Sequence, residues 1–407
     1  MLLDSYRVLD LSNHRGQFCG KILGDLGADI LKIEPPGGDK ARSFGPFIGD
    51  DPHPEKSLYW IAHNTNKRGI TLDIGTGRGK ALLLDMVKGA KFLIESHLPE
   101  RSDELGLSFE ALSDVNPSLI MVSITPFGRT GPYRHFKDSE LVNMSLGGQM
   151  VLCGDPDRPP LGFPVEQSYC LAGMNAAVAA LAAHLHRERT GEGQHVDVSI
   201  QESVLLTTFN LHEFWELQGV HLKRQGACAM RGSLTFRTCW ACKDGYVSWR
   251  IFSGHWGRWT RSFVEWMDRE DMAGELAEFP WEDVDMNALS QEELNRFEAV
   301  FADFFLQHTK GEIYEQARSS GIPFFPVNTP ADVLKDAQLA GRDFWREVPG
   351  PESGTVLKHP GPAIQPFGEA APLARAPRIG EHNADIYMGE LGLTGVDLMS
   401  LKKAGVV

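Results

Sequence analysis

The sequence predicts an α/β protein with a large Rossmann-like domain on a parallel sheet and a smaller α+β domain. Strand-like apolar runs alternate with helical segments over the first third of the chain, and an alanine-rich helix follows them. The stretch 226–321 differs, because it concentrates tryptophan and charged residues. A chain of 407 residues exceeds one ordinary core. We therefore expect a large domain over 1–225 and a small domain over 226–321.

The first elements have the spacing of parallel strands joined by crossover helices. Residues 6–11 and 30–34 are predicted strands, and residues 19–26 form the predicted helix between them, which gives a βαβ unit. Further strands are predicted at 70–73, 92–95 and 119–124, with a helix at 81–87. Because ligands bind at the carboxyl ends of parallel strands, the loops that follow these strands are candidate binding loops.

An alanine-rich segment forms the centre of the chain. Seven alanines lie between residues 172 and 183, so the segment has little side-chain bulk and predicts a helix that is buried nearly all round. A basic last turn and Gly191 favour its end, since glycine adopts the left-handed cap conformation. Residues 195–200 alternate polar and apolar side chains, which predicts another strand. Later elements are predicted as a helix at 205–217, a short strand at 321–327 and a final helix from about residue 384.

The charge balance and the cysteine count limit the classes of partner. The chain has 40 basic and 54 acidic residues, so its net charge of −14 disfavours nucleic acid and anionic membrane as partners. The N-terminus lacks a signal-peptide pattern and no apolar run reaches the roughly 18 residues of a membrane span, so we expect a cytoplasmic protein. Six cysteines are too few for a disulfide scaffold. No residues have convincing metal-ligand spacing, and Cys239 and Cys242 are interpreted as packed thiols.

Several motifs, taken in order along nearly the whole chain, resemble the class III CoA-transferases. This family, also called CaiB/BaiF, includes formyl-CoA and carnitine-CoA transferases. The matching stretches are VLDLS at 8–12, DLGADILKIEPPGGDKAR at 25–42, NTNKRGITLDI at 64–74, GRTGPYR at 128–134, RERTGEGQHVDVSIQES at 187–203, GIPFFPVNT at 321–329 and APRIGEHNADI at 376–386.

The resemblance implies a fold, substrates and a binding site. It implies an interlocked dimer of two ring-like chains, in which residues 322–407 return to the large domain so that both chain ends build it. It also implies an acyl-CoA and a free carboxylic acid as substrates and no covalently bound cofactor. It also implies that CoA lies against the N-terminal loops. The candidate CoA-binding residues are His14, Arg15, Arg42, Leu72, Ser96, His97, Arg101 and Lys137.

The nucleophile that the resemblance implies is missing. Members of the family use an aspartate at the mouth of the alanine-rich helix, which attacks the acyl-CoA thioester and forms a mixed anhydride. The matching position here is Tyr169, whose phenol is mostly un-ionised at neutral pH and would give an ester after acylation. Glu140 and Glu166 are the alternative carboxylates. Glu166 is three residues before Tyr169, about one turn away if the helix extends that far.

The missing aspartate leaves several hypotheses open. The first hypothesis is that the chain is a catalytically silent subunit. Relatives such as succinyl-CoA:benzylsuccinate CoA-transferase are built from two related chains, of which one can carry the complete site. Alternatively, the chain is a self-sufficient transferase that uses Glu166 or Glu140. A third hypothesis is an isomerase or racemase of the α-methylacyl-CoA type, which needs an acid/base pair, although Ser139 and Tyr169 occupy those positions and His135 lies four residues too early. A plain CoA-binding protein is the fourth.

Overall fold

The chain divides into two compact units in a computed structural model that describes residues 2–231, 233–351, 354–362, 364 and 373–407. The first unit comprises Met1–Met150, Gly162–Gly219 and Leu339–Val407, and the second comprises Val151–Leu161 and Val220–Gln338. The predicted boundaries at 226 and 321 therefore lie inside the second unit. The sequence pattern did not separate the short loop 151–161 from the elements on either side of it.

The first unit is built on a six-stranded parallel sheet, as the sequence predicts. The strands lie in the order β3-β2-β1-β4-β5-β6. Their bounds are β1 Arg7–Asp10, β2 Asp29–Glu34, β3 Lys67–Thr71, β4 Phe92–Glu95, β5 Ile120–Thr125 and β6 His195–Ser199. This is the order of a doubly wound fold, in which the chain reverses direction across the sheet between β1 and β4. A crevice for ligands is expected at that reversal.

The helices alternate with these strands and then continue into the second unit. In the chain they are α1 Gln17–Asp25, α2 Leu58–His63, α3 Gly77–Val87, α4 Pro99–Glu104, α5 Phe109–Ser113, α6 Glu140–Leu146, α7 Ser168–Thr190, α8 Ile200–Leu205, α9 Leu211–Gln218, α10 Gly257–Arg269, α11 Gln291–Gln307, α12 Lys310–Ser320, α13 Pro330–Val333, α14 Ala337–Gly341 and α15 Gly395–Lys403. The predicted helix at 19–26 corresponds to α1, and the predicted helix at 81–87 to the later part of α3.

Helix α7 is the alanine-rich helix, and it is buried on one side only. Five of its seven alanines pack in the same apolar cluster as residues of α1 and the sheet. In contrast, Met174, Val178 and Leu185 are 43%, 68% and 65% exposed. The expected burial all round is therefore wrong. The helix ends at Gly191 with a φ of 78°, the left-handed cap predicted from the sequence.

The expectation that no apolar segment reaches the length of a membrane span is wrong for helix α7. Ser168–Thr190 has an 18-residue window with a mean hydropathy of 1.3, which meets that criterion by length and composition. A helix packed against a protein core has the same composition, and 44% of this window is buried. Small alanine side chains allow such close packing.

Two of the later helices differ from their predicted form. The predicted helix at 205–217 is divided by the 3₁₀ turn Leu206–Thr208, where the hydroxyls of Thr207 and Thr208 donate to the carbonyls of Val204 and Leu205. The predicted final helix is a π-helical segment, Asp385–Glu390, followed by α15. Gly392, at a φ of 70°, lies between them.

The second unit combines short antiparallel strands with an aromatic core. Its strands are β7 Cys228–Arg231, β8 Leu234–Arg237, β9 Cys239–Cys242, β10 Gly245–Ser248 and β11 Phe325–Pro326, so only two residues of the predicted strand 321–327 pair. Trp240 and Trp249 are buried among Phe263, Phe301 and Phe305. A further hairpin, β12 Trp345–Pro349 and β13 Val356–Pro360, belongs mainly to the return of the chain to the first unit.

Candidate active site

A cavity of about 280 Å³ lies at the carboxyl ends of the central strands. It is formed by the loops after β1, β2, β3 and β4, so it coincides with the reversal of strand order. Its lining includes three of the predicted CoA-binding residues. These are Leu72, His97 and Arg101. The position matches the expectation that loops at this edge of the sheet hold the ligand.

Charges of both signs line this cavity, with the cations of Lys40 and Arg101 beside the carboxyl groups of Glu34, Asp39 and Asp73. Arg101 and Lys40 line it, and the side chain of Arg101 is about half exposed beside Glu104. Burial lowers the pKa of His97 to about 4, and the positive charges of Lys32 and Arg101 add to the effect. His97 is therefore neutral at pH 7. Its buried Nε2 atom has no hydrogen-bond partner among the described residues, so it is available to a bound molecule.

Ser96 shapes the same edge without facing an open space. Its hydroxyl accepts a hydrogen bond from the backbone N–H of Asn13 at 2.9 Å and donates to the Asn13 side-chain oxygen at 3.0 Å. Asn13 lines the cavity. Ser96 therefore joins the loop after β4 to the loop after β1, across the reversal of strand order, and holds a lining residue in place.

Arg42 does not line this cavity. Its guanidinium is 2% exposed and donates to the fully buried carboxylate of Glu34 at 2.7 and 2.8 Å. It also donates to Glu55 and to the carbonyl of Pro377, and it stacks 3.8 Å above the ring of Trp60. These contacts use the donors that a CoA phosphate would need, so Arg42 has a structural position, in contrast to its predicted ligand contact.

Tyr169 lies in the first turn of α7 and is 5% exposed. Its hydroxyl donates to Oδ2 of Asp138 at 3.2 Å. Burial raises the pKa of this phenol, and the negative charge of Asp138 raises it further. His14 packs its ring edge-on against Tyr169, with the ring centroids 5.2 Å apart. The phenol is therefore protonated at neutral pH and already engaged with the chain's own carboxylate.

Asp138 is the residue of this site that the sequence analysis missed. Its side chain is fully buried, and Oδ1 accepts from Nε and a terminal nitrogen of Arg15 at 2.9 and 2.5 Å. Oδ2 accepts from the Asn143 amide at 3.1 Å and from Tyr169. Burial alone would raise the pKa of Asp138, but the hydrogen bonds and charge of Arg15 hold it below its usual value. Lys137, the neighbouring candidate, is exposed.

Burial and the adjacent charge of Arg15 also lower the pKa of His14 to about 4. The buried Nδ1 atom of His14 has no hydrogen-bond partner among the residues that the structure describes. Both predicted candidates of this loop, His14 and Arg15, thus face the mouth of α7. Neither lines the cavity at the strand ends.

Glu140 caps the start of α7. One carboxylate oxygen accepts from the backbone N–H groups of Gln167 and Ser168 at 2.8 and 3.1 Å, and the other accepts from the Ser168 hydroxyl at 2.5 Å. These N–H groups have no partner within the helix, and a carboxylate at this end also suits the helix dipole. Glu140 therefore satisfies the helix terminus, which leaves it poorly placed to act as the predicted alternative nucleophile.

Glu166 is not on α7, because the helix begins at Ser168. The one-turn relation to Tyr169 was expected only if the helix extended to Glu166, and that condition is not met. Glu166 nevertheless lies close to the same mouth, where the hydroxyl of Tyr59 hydrogen-bonds it. Burial raises the pKa of Glu166, and the charges of Glu140 and Asp138 raise it further. Its Oε2 atom is buried without a hydrogen-bond partner within the described part of the chain.

The geometry thus separates two regions. A cavity at the strand ends offers Lys40 and Arg101 to a ligand. The mouth of α7 is instead occupied by Tyr169 and the ion pair of Asp138 with Arg15, although Nδ1 of His14 and Oε2 of Glu166 have no hydrogen-bond partner among the described residues. A carboxylate buried among four donors does not attack a carbonyl carbon readily, because the attack would break those hydrogen bonds and the ion pair.

The fold and the cavity agree with the sequence resemblance, and residues 3–383 match the profile of CoA-transferase family III. The chain belongs to this family of enzymes. It is 34% identical to succinyl-CoA:(R)-benzylsuccinate CoA-transferase subunit BbsE of Thauera aromatica, a match that covers 99% of this chain and 97% of the relative. It is 31% identical to formyl-CoA:oxalate CoA-transferase of Streptomyces avermitilis over 100% of this chain and 99% of that protein.

A solved structure shares the architecture. The crystal structure of a CAIB/BAIF family protein from Brucella suis superposes with a TM-score of 0.81 at 30% identity, covering 95% of this chain and 98% of that one. The parallel sheet of the first unit and the family assignment are therefore confirmed. The catalytic standing of this chain depends on the residues at its own helix mouth.

Proposed function

We propose that this chain is the catalytically silent subunit of a class III CoA-transferase. It binds CoA, and an aspartate-bearing related chain performs the transfer in a heterodimer or heterotetramer. The observation that carries this proposal is the filled helix mouth, where Tyr169 replaces the expected aspartate and donates to a buried, ion-paired Asp138. Transfer of CoA between acids needs a carboxylate that can reach the thioester carbonyl carbon and form an anhydride.

The carboxylates around the mouth do not meet that requirement equally well. Asp138 has both oxygens saturated and no exposure, and Glu140 is bound to the start of α7. Cys170 is no substitute nucleophile, because burial and the charges of Glu140 and Glu166 raise the pKa of its thiol to about 11. This distribution supports a silent site.

A heteromeric partner has support of a different kind. The relative from Thauera aromatica is named as a subunit. The part of the first unit around α8 and α9 also exposes large apolar side chains that a related chain could cover. They are Leu205, Leu206, Phe209, Phe214, Trp215 and Leu217. A second copy of this chain could cover the same residues, so a homodimer is the alternative assembly.

The silent-subunit proposal predicts no transfer by this chain alone. Purified chain incubated with succinyl-CoA and labelled succinate should give no exchange of label, and hydroxylamine should release no CoA from the protein, because Tyr169 replaces the nucleophile and Asp138 and Glu140 are bound to donors of the chain itself. An aspartate-bearing family member assayed in parallel is the positive control. Exchange by this chain alone, with label or CoA trapped on one of its residues, would refute the proposal.

Glu166 carries the second candidate function, a self-sufficient transferase. The unpaired Oε2 atom and the raised pKa of this carboxyl favour it over Glu140. If the chain does show exchange, Glu166→Gln should abolish it while Tyr169→Phe leaves it intact. The opposite pattern would exclude Glu166 as the nucleophile.

The isomerase or racemase hypothesis receives less support. The hydroxyl of Ser139 accepts from the backbone N–H of Val142 at the start of α6, and Tyr169 is engaged with Asp138. His135 is about half exposed and contacts Glu100. An acid/base pair across a substrate carbon needs two groups free to exchange protons, which this arrangement does not favour.

CoA binding in the cavity predicts an effect of Arg101→Met. Loss of a charge-assisted contact to a phosphate should weaken CoA binding by roughly tenfold or more, as measured by calorimetric titration. Lys88→Met is the matched control, because Lys88 is an exposed cation that does not line the cavity. Equal CoA affinity in wild-type and Arg101→Met proteins would contradict the proposed site.

A further inference from the structure

Asp138 is an exception within its own loop. The preceding residues 131–137 and the following Ser139 are exposed, yet the Asp138 carboxylate is completely buried. The chain therefore turns one negative side chain inward at this point. Because burial of an ion costs free energy unless it is paired, this orientation requires strong partners.

The partners come from three separate elements. Arg15 lies in the loop before α1, Asn143 belongs to α6, and Tyr169 belongs to α7. They direct two guanidinium N–H groups, one amide N–H and one hydroxyl at the two carboxylate oxygens, with donor–acceptor distances between 2.5 and 3.2 Å. Both guanidinium N–H groups donate to Oδ1 and the two neutral donors to Oδ2. Charge-assisted donors from arginine, supplemented by neutral donors, also bind the carboxylates of ligands. We call Arg15, Asn143 and Tyr169 the carboxylate cradle.

We propose that Asp138 is an internal substitute for the acid substrate and occupies the carboxylate cradle, so this chain does not admit a free carboxylic acid at the mouth of α7. The inference rests on the proposed function, since it explains how a subunit keeps a CoA cavity and loses the acid. The cavity at the strand ends is lined by other residues and is left open. Asp138 thus determines ligand specificity.

An intramolecular carboxylate has a large advantage over a dissolved one. A group tethered beside its binding partners acts at an effective concentration of about millimolar or higher, and Asp138 is held more rigidly than a flexible tether would hold it. A free acid at ordinary concentration does not displace it. Removal of the side chain should therefore convert the cradle into a binding site for a small carboxylate.

The experiment uses the full-length chain with Asp138→Ala and sodium formate, whose carboxylate matches the group that is removed. The thermal unfolding midpoint of the variant should lie below that of wild type in sodium chloride. It should rise by several degrees as formate increases from ~1 to ~100 mM at constant ionic strength. Wild type should show no such rise, because its cradle is occupied. Arg15→Ala/Asp138→Ala should show none, because the guanidinium of Arg15 is absent.

The proposal would be overturned if chloride and formate raised the unfolding midpoint of Asp138→Ala equally. It would also be overturned if formate raised the midpoint of Arg15→Ala/Asp138→Ala. If Asp138→Ala does not fold, Asp138→Gly tested with sodium acetate serves the same purpose, since acetate restores the whole deleted side chain. If Asp138→Gly does not fold even when acetate is present, that result would also count against the carboxylate cradle. No CoA or transfer is measured here, so the result is independent of whether the chain proves silent in the exchange assay.

Discussion

Arg42→Met is expected to lower the free energy of unfolding by about 3–5 kcal/mol, because it leaves the buried carboxylate of Glu34 without its cation. Glu34 is fully buried and Arg42 is 2% exposed, so water cannot replace the lost partner. The stacking of the guanidinium on Trp60 is lost as well. Denaturant titration of wild-type and variant proteins at pH 7 measures the difference.

The control for this variant is Lys88→Met, which removes an exposed cation paired with Asp85 and should cost less than about 1 kcal/mol. Adding Glu34→Gln to Arg42→Met should restore part of the lost stability, since the unpaired charge is then removed. If Arg42→Met had the same denaturant midpoint of unfolding as wild type, the ion pair would not be important for stability.

Mild acid is expected to destabilise the fold through three buried histidines. Burial lowers the pKa of His14, His63 and His97 to about 4 each, against about 6.5 in an unfolded chain. Between these values the unfolded state binds more protons than the folded state, so stability falls as the pH falls. Each histidine should cost about 2 kcal/mol by pH 5, and the cost should disappear above pH 7.

Denaturant unfolding at pH 7, 6 and 5 measures this dependence. His63→Gln should reduce the loss between pH 7 and pH 5 by about 2 kcal/mol, because this histidine no longer titrates. Burial also lowers the pKa of His184, His195 and His359, so part of the loss should remain. His63 lies against the ring of Tyr59 and contacts its carbonyl, so the comparison is made between the slopes rather than the absolute stabilities. An unfolding free energy that is the same at pH 5 and pH 7 would contradict the buried, neutral state of these side chains.

The sheet could be predicted because its strands have a strong local pattern. The buried strand Ile120–Thr125 and the alternating strand His195–Ser199 are recognisable without knowledge of their neighbours. The end of α7 at Gly191 was also predictable from a local signal, since glycine can adopt the left-handed cap conformation without help from other residues. Elements specified by their own residues were therefore predicted within a few positions. The exposure of one face of α7 was not predicted, because it depends on which other parts of the chain pack against that face.

The candidate site was only partly predictable, because its contacts join distant parts of the chain. Arg15 and Asp138 are separated by 123 residues, and Tyr169 is 31 residues beyond Asp138. Nothing in the local sequence distinguishes Asp138 from an exposed charge, although it lies between Lys137 and Glu140, which the family resemblance had already marked. The buried position of Arg42 was hidden for the same reason.

The cap on α7 and the ion pair of Asp138 limit what a new carboxylate at the helix mouth could do. An aspartate introduced at position 169 would place a second negative charge beside Asp138, whose carboxylate is already paired with the guanidinium of Arg15. Glu140 already interacts with the positive end of the helix. One of the neighbouring carboxyls would then remain protonated. Tyr169→Asp alone is therefore not expected to create an active transferase, and changes at Asp138 or Arg15 would be needed with it.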